Sequence, residues 1–327
     1  MSIDLELGVA QTVEYCPCLH HAVAQMATPG SYSTERTFLR IVELGSIRAA
    51  AREAGVEPSS LSRKLARLEV RLGTQLIDRA AQSTTDAGAL YYNKMRALLS
   101  QIDALEAAVA GDAGTPQGTL RIGASIDFGQ AFVAPWLTRF CQIHDQVQGQ
   151  LTLDARHVDM VEARLDLTIR IGILPDSALM ARKLGTAHRV LVASPDYLAR
   201  TGTPQTPAEL AQHDHVLFLP EHAHKPLRLT GPDGNEYSVV RRPKLTIGAV
   251  RSIAKAVAAG LGIHAGPRWA FAEMLDRGDV VEILADHSQP ALPIYAVWAP
   301  VAIQPARIRA FVDFAAEAIK QIPSLRD

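Results

Sequence analysis

Cysteine is scarce in this chain. Cys16, Cys18 and Cys141 are the whole set in 327 residues, an odd number too sparse for a disulfide framework, so a reducing compartment, the cytoplasm, is the expectation. Lysine and arginine are missing altogether from the first 33 residues, which therefore lack the positive stretch that opens a secretory signal. No apolar run reaches the length of a membrane span, so no membrane partner is expected. Charge of either sign is not in excess: 33 Lys and Arg stand against 34 Asp and Glu, which argues against general polyanion binding. What the chain does hold is a 48% hydrophobic content with 20% charged residues, ordinary for a globular protein, and enough length for two or three domains.

The clearest local pattern runs from Thr37 to Gly73. Phe38, Ile41 and Val42 repeat at helical spacing, Gly45 stops that helix, and Ser46 is placed to cap the next. A short helix, Ile47 to Ala54, carries Ala49, Ala50, Ala51 and Ala54, whose small side chains let another helix approach closely; Gly55 supplies the turn that ends it. Pro58 then opens a third helix, where its fixed φ is already helical and its missing N–H costs nothing. Leu61, Leu65, Leu68 and Leu72 fall on one face of that helix; Ser60, Lys64, Arg67 and Arg71 fall on another, flanked by Ser62 and Arg63. This is the grammar of a helix-turn-helix, with hydroxyl and guanidinium groups in the first turns of the helix that would enter a major groove. The segment from Glu35 to Gly73 is net basic in a near-neutral chain, which points to one local anionic partner, double-stranded DNA.

After Asp86, read as an N-cap, a long helix extends to about Ala110. Tyr91, Met95, Leu98, Ile102, Leu105 and Val109 repeat at alternating steps of four and three, a seam suited to pairing two helices and hence to a homodimer; burial in the next domain's core is the alternative. Residues 111–118 form a Gly/Pro-rich hinge, after which strands and helices alternate. Leu120–Ala124, Leu151–Ala155 and Leu167–Ile171 read as strands around a helix from Gln130 to Ile143, in βαβ order, which predicts a parallel sheet. A second such unit starts near Ala193. It has strands at Val216–Leu219, Leu245–Ile247 and Ile263–Ala265, a helix at Val250–Ala259, and a hairpin around Gly231–Asn235. Ile294–Trp298 and a closing helix from Pro305 to Ile322 complete the pattern.

On the strings LRIVELGSIRAAAREAGV, SSLSRKLARLEVRLGTQLIDR and TTDAG, the stretch Thr37–Gly88 resembles the DNA-binding domain of LysR-type transcriptional regulators. The resemblance implies Pro58, Ser59, Ser62 and Arg63 as recognition-helix contacts and Arg67 as a backbone contact, with Lys64 and Arg79 in the same DNA-binding set. The wing, Ala80 to Thr85, is two residues shorter than the family's and uncharged. RIGILPDSALMARKLG, VLVASPDYLARTG and VAAGLGIHAGP resemble the family's effector domain, of the type 2 periplasmic-binding-protein fold. That implies two subdomains joined by crossing segments near Val190–Ala193 and Ile294–Val297, with a cleft between them.

Ligands of open α/β sheets bind beyond the carboxyl ends of strands, near helix N-termini that favour anions. Here those places are Ser125, Ile126 and Asp127, then Arg170 and Gly172, then Gly248, Ala249 and Val250, and finally Gly266. Asp127 argues against a simple anionic effector unless Arg170 pairs with one of the carboxylates.

Other constellations carry less. Gly260 to Gly266 follows a helix and leads into a strand, the reverse of a dinucleotide loop. The Cys16, Cys18, His20 and His21 cluster and the pairs His213/His215 and His222/His224 lack metal-site spacing, and neither metal nor cofactor is assigned. Cys141 reads as a core residue.

The fold expected is therefore multidomain: an all-α winged helix-turn-helix domain, a long linker helix and an α/β two-subdomain periplasmic-binding-protein-like effector domain. The boundaries are a flexible extension at 1–33 (Met26 offers an alternative start), DNA binding at 34–88, a linker at 89–111 and an effector domain at 119–327. The last divides into subdomain I (119–191 and 294–327) and subdomain II (192–293). The function expected is a DNA-binding transcriptional regulator, not an enzyme, working as a dimer or dimer of dimers under an unidentified small-molecule effector. A ligand-binding protein with a weakened or vestigial DNA-binding domain is the alternative.

Overall fold

The computed structural model describes residues 33–78, 81, 83–109, 114–154, 165–218 and 225–326. The cysteine and histidine cluster near the N-terminus, Arg79, the wing residues Ala80 and Gln82, and His222 and His224 lie outside the described residues. The chain divides into two compact units, Met1–Leu98 and Leu99–Asp327.

In the first unit α1 (Ser33–Leu44), α2 (Ile47–Ala54) and α3 (Pro58–Leu72) form where the glycines and caps predict. The Ser46 hydroxyl accepts from the Ala49 amide at 3.1 Å, satisfying one of the free N–H groups at the start of α2. Gly55 adopts φ 64°, and the Val56 amide returns to the Ala51 carbonyl at 3.0 Å, closing the turn into α3. Phe38, Ile41, Ala50, Ala51, Leu61, Leu65 and Leu68 are buried together as the core of the motif, whereas Leu72, at the end of the expected leucine row, is 38% exposed. A two-stranded ribbon follows, β1 (Ile77–Asp78) antiparallel to β2 (Ser83–Thr84), and is the wing. Then comes α4 (Asp86–Val109). Its cap is Thr85, not Asp86: the Thr85 hydroxyl accepts from the Gly88 amide at 3.0 Å and donates to the Gln75 carbonyl at 2.8 Å. Gly88 is required by space, because a Cβ there would sit 1.9 Å from the Leu76 carbonyl oxygen.

The second unit contains two sheet layers. The first is a five-stranded sheet of β3 (Gly118–Ala124), β4 (Val147–Leu153), β5 (Leu167–Ile171), β6 (Met180–Ala187) and, from far along the chain, the strand Leu292–Trp298, in the order β4, β3, β5, Leu292–Trp298, β6. It is mixed, not the wholly parallel sheet expected: β3 runs parallel to β4 and β5, but the returning strand Leu292–Trp298 is antiparallel to both β5 and β6. The helical segment after β3 starts earlier than its apolar pattern, at Ile126, and passes through a π turn at Gly129–Val133 before α-helix Ala134–Ile143. Its aromatic face and the final helix Ala306–Lys320 bury Phe140, Phe311, Leu120, Ile122 and Ile294 in one core. Cys141 packs against the edge of that core.

His188 separates β6 from β7 (Arg189–Ala193), the first strand of the second layer. There β7 pairs antiparallel with β12 (His264–Pro267), while β8 (Asp214–Leu217) and β11 (Arg242–Thr246) run parallel. The expected hairpin is present as β9 (Leu227–Thr230) against β10 (Glu236–Val239). The helix Val250–Ala258 buries Ile253, Ala254 and Val257 against Val190, Val192 and Val216.

Candidate functional sites

On α3 the apolar row faces inward and leaves Ser59, Arg63 and Arg67, spaced one helical turn apart, on the exposed side. Arg63 Nε donates to the Ser59 carbonyl at 3.3 Å and Arg67 Nε to the Arg63 carbonyl at 3.4 Å, so both guanidinium groups lie along the helix and are bonded to no carboxylate among the described residues. Ser62 and Lys64 are half-buried at the sides of this row, and Pro58 is exposed at its start. Arg71, which helical spacing sets on the same basic face, is turned away to an ion pair with the buried Glu35, with the Tyr91 hydroxyl 3.5 Å from its Nη2. Arg40 is likewise committed, to Glu43 and Glu53, and these acids hold its guanidinium well above the ordinary arginine range. Two of the basic residues between Glu35 and Gly73 thus hold the domain together, while Arg63, Lys64 and Arg67 on α3 remain outside these ion pairs.

Along α4 the expected seam residues are not equivalent. Tyr91 is half-buried and turned to the first unit, its ring 5.7 Å from that of Phe38. Met95 and Ile102 are half-buried, and Leu98, Leu105 and Val109 are exposed at 52%, 50% and 82%. The seam pattern missed Tyr92, which is buried and donates its hydroxyl to Glu43 at 3.0 Å. An aromatic adjacent to a seam position was the available signal.

In the second unit the expected cleft residues separate into two places. Arg170 lines a cavity of about 210 Å³ formed with Leu174, Pro175, Asp176, Ser177 and Ala181, on the first sheet layer. Gly172 beside it has φ 104°, a conformation that favours glycine. Ser125 and Gly248 are exposed, Ile126 and Ala249 half-buried, and Gly266 buried against His264 and Phe271. Asp127 is not held by Arg170 as the sequence allowed. Its carboxylate accepts from the backbone amides of Val250 at 2.6 Å and Arg251 at 3.2 Å, at the first turn of the helix in the opposite layer.

The histidines considered as metal ligands point to separate partners. His213 Nδ1 lies 3.2 Å from the Tyr197 hydroxyl and His215 Nε2 donates to the Leu210 carbonyl at 2.9 Å.

Residues 34–89 match the bacterial regulatory helix-turn-helix domain of the lysR family, and residues 113–320 match the LysR substrate-binding domain. The chain belongs to the LysR family of transcriptional regulators. Its relatives include a transcriptional repressor from Pseudomonas aeruginosa, 31% identical over 89% of this chain and 92% of the relative. CrgA from Neisseria meningitidis is 29% identical, covering 86% of this chain and 95% of CrgA. In solved structures, CrgA superposes with a TM-score of 0.56 at 28% identity over 88% of this chain and 98% of CrgA. Full-length AphB, a Vibrio cholerae virulence activator, superposes with a TM-score of 0.55 at 26% identity over 88% of this chain and 99% of AphB. As a LysR-type regulator the chain joins a helix-turn-helix domain for DNA to an effector-binding domain. No helix among its described residues is long and apolar enough to cross a membrane.

Proposed function

We propose that this LysR-type regulator reads duplex DNA with the exposed face of α3. Ser59, Arg63 and Arg67 form the centre of that face, Pro58 and Ser62 its N-terminal turns, and Lys64 its side. Arg79, which precedes the wing in sequence, supplements it. The regulator works in the cytoplasm, by binding alone and without catalysis. It does so as a homodimer paired along α4 through Leu98, Ile102, Leu105 and Val109, and as a dimer of such dimers on extended operators. Residues 34–88, 89–111 and 119–327 are its DNA-binding, pairing and effector-responsive parts. A small molecule entering between the two sheet layers shifts the population between closures, which resets the spacing of the paired recognition helices.

The observation that carries this reading is the row Ser59, Arg63, Arg67, exposed and free of carboxylate partners among the described residues, on a helix whose Arg71, like Arg40 of α1, is instead paired with an acid. Guanidinium groups so placed reach guanine edges and phosphates when the helix lies in the major groove. The experiment is a salt titration of full-length protein on a duplex from its own promoter region. A steep linear fall of log affinity with log salt is expected, because each phosphate neutralised releases counterions. Absence of salt-dependent duplex binding would leave the alternative, a ligand-binding protein without operator function.

A further inference from the structure

The helix Val250–Ala258 begins without a cap of its own. The residue before it is Ala249, which has no side-chain acceptor, and no local side chain bonds to its first amides. The first N–H groups of a helix are unsatisfied by the helix itself and carry the positive end of its dipole, so an uncapped start attracts an anion.

In this chain the anion is supplied from more than a hundred residues away. Asp127 follows β3 in the first sheet layer and is 8% exposed. Its Oδ2 accepts from the Val250 amide at 2.6 Å and its Oδ1 from the Arg251 amide at 3.2 Å, so both carboxylate oxygens are engaged. The same stretch crosses the cleft a second time. The rings of Phe128 and Phe132 lie 5.8 Å and 5.4 Å from that of Trp269, which follows β12 in the second layer. A polar clasp and an aromatic contact therefore join the two subdomains side by side.

We propose that Asp127 is a tethered carboxylate that fills the anion position of the regulatory cleft, latching the two subdomains together and setting the cleft against free anionic effectors. The inference deepens the reading of the cleft as the effector site and rests on it. A free carboxylate would need the amides that Asp127 already holds. The tethered group competes at an effective concentration on the order of millimolar or higher. It also repels a second negative charge in a site shielded from water. An effector for this cleft is then neutral or cationic, and one that opens the layers must first detach Asp127 from Val250 and Arg251.

The test uses the full-length protein, the variants Asp127→Ala and Asp127→Asn, and sodium formate against sodium chloride at equal ionic strength. Alanine deletes only the carboxylate, and formate is that carboxylate untethered. The readouts are the melting transition and hydrogen exchange of peptides covering Val250 and Arg251. Asp127→Ala is expected to melt about 2–4 °C lower and to lose protection at those amides. Formate should restore both, saturably, while the wild-type protein ignores it.

Equal formate responses in wild type and variant, or undiminished protection in Asp127→Ala, would overturn the proposal. Asp127→Asn guards against a variant that does not fold. It keeps the shape and one acceptor but loses the charge, and wild-type melting and protection there would also overturn the latch. Duplex binding by the wild-type chain is a separate measurement: its failure would remove the regulator reading and leave the Asp127 clasp as it stands.

Discussion

The carboxylate of Glu69, on the recognition helix, accepts from the Leu76 amide at 2.9 Å and from the Ile77 amide at 3.3 Å. Glu69 is 9% exposed, so this is a buried acceptor that fixes the angle between α3 and the first strand of the wing. Within the string LARLEVRLG nothing in its spacing distinguishes it from the other charges of the helix. Its role is to terminate the backbone where β1 begins.

Replacing Glu69 by alanine leaves two amides without their acceptor. A loss of about 1–3 kcal/mol in stability is expected, the cost of unpaired buried polar groups. Urea unfolding of the isogenic pair measures it. Operator affinity should fall further than stability alone predicts, because the wing loses its register on α3. A Glu69→Ala protein with an unshifted urea midpoint would show that the bond is ornamental.

Arg63, Arg67 and Arg71 separate by partner. Arg63→Ala should reduce operator affinity by about 1–3 kcal/mol and relax base preference. Arg67→Ala should weaken binding uniformly and lower the salt slope by about one. Arg71→Ala should leave the salt slope alone, since Arg71 is spent on Glu35; its effect should appear in stability, where Glu35 is left buried without its cation. Fluorescence anisotropy at several salt concentrations distinguishes the three. Equal slopes for all three variants would dissolve the division of labour drawn from their contacts.

For the linker, Leu98→Glu and Leu105→Glu place charges on positions 52% and 50% exposed in the single chain. If those faces meet a second copy, each substitution buries an unpaired carboxylate and should shift the protein to smaller species. Analytical ultracentrifugation reads the change. Tyr91→Phe serves as the contrast. It keeps the ring against Phe38 and should preserve the oligomer. Unaltered sedimentation of Leu98→Glu and Leu105→Glu would take the pairing away from this face of α4.

Local chemistry made the first unit legible in the sequence. Ser46, Gly55 and Pro58 each act within a few residues of where they stand, so the helices and turns follow from capping and φ preferences alone. What could not be read there was non-local. Arg71 and Glu35 are far apart in sequence, and periodicity assigns Arg71 to a face without knowing that an acid waits beside it. Asp127 was singled out, but a helix capped from another subdomain leaves no trace near Ala249 except the absence of a local cap. The mixed sheet was missed for a related reason. A strand returning from the second subdomain, Leu292–Trp298, looks in isolation like any other apolar strand, and its direction is set by where the chain re-enters.

Acid should weaken the second unit through its histidines. Burial pushes both His215 and His264 down to about 4 from the ordinary 6.5, against the opposing pull of their bonds to the carbonyls of Leu210 and Val216. Burial also lowers His213, partly offset by Glu209 and Asp214. The unfolded chain takes up these protons near pH 6.5 while the folded chain does not, so unfolding is proton-linked between pH 6.5 and about 4. Stability is full above pH 6.5 and falls as the pH drops through that window, by up to about 1.4 kcal/mol per pH unit for each histidine. Melting transitions at half-unit steps from pH 7 to pH 5 would show the slope before most carboxylates titrate. His264→Gln, which removes one titrating group, should lower stability at pH 7 yet flatten the slope. A variant that melts lower but keeps the wild-type slope would shift the acid sensitivity away from His264.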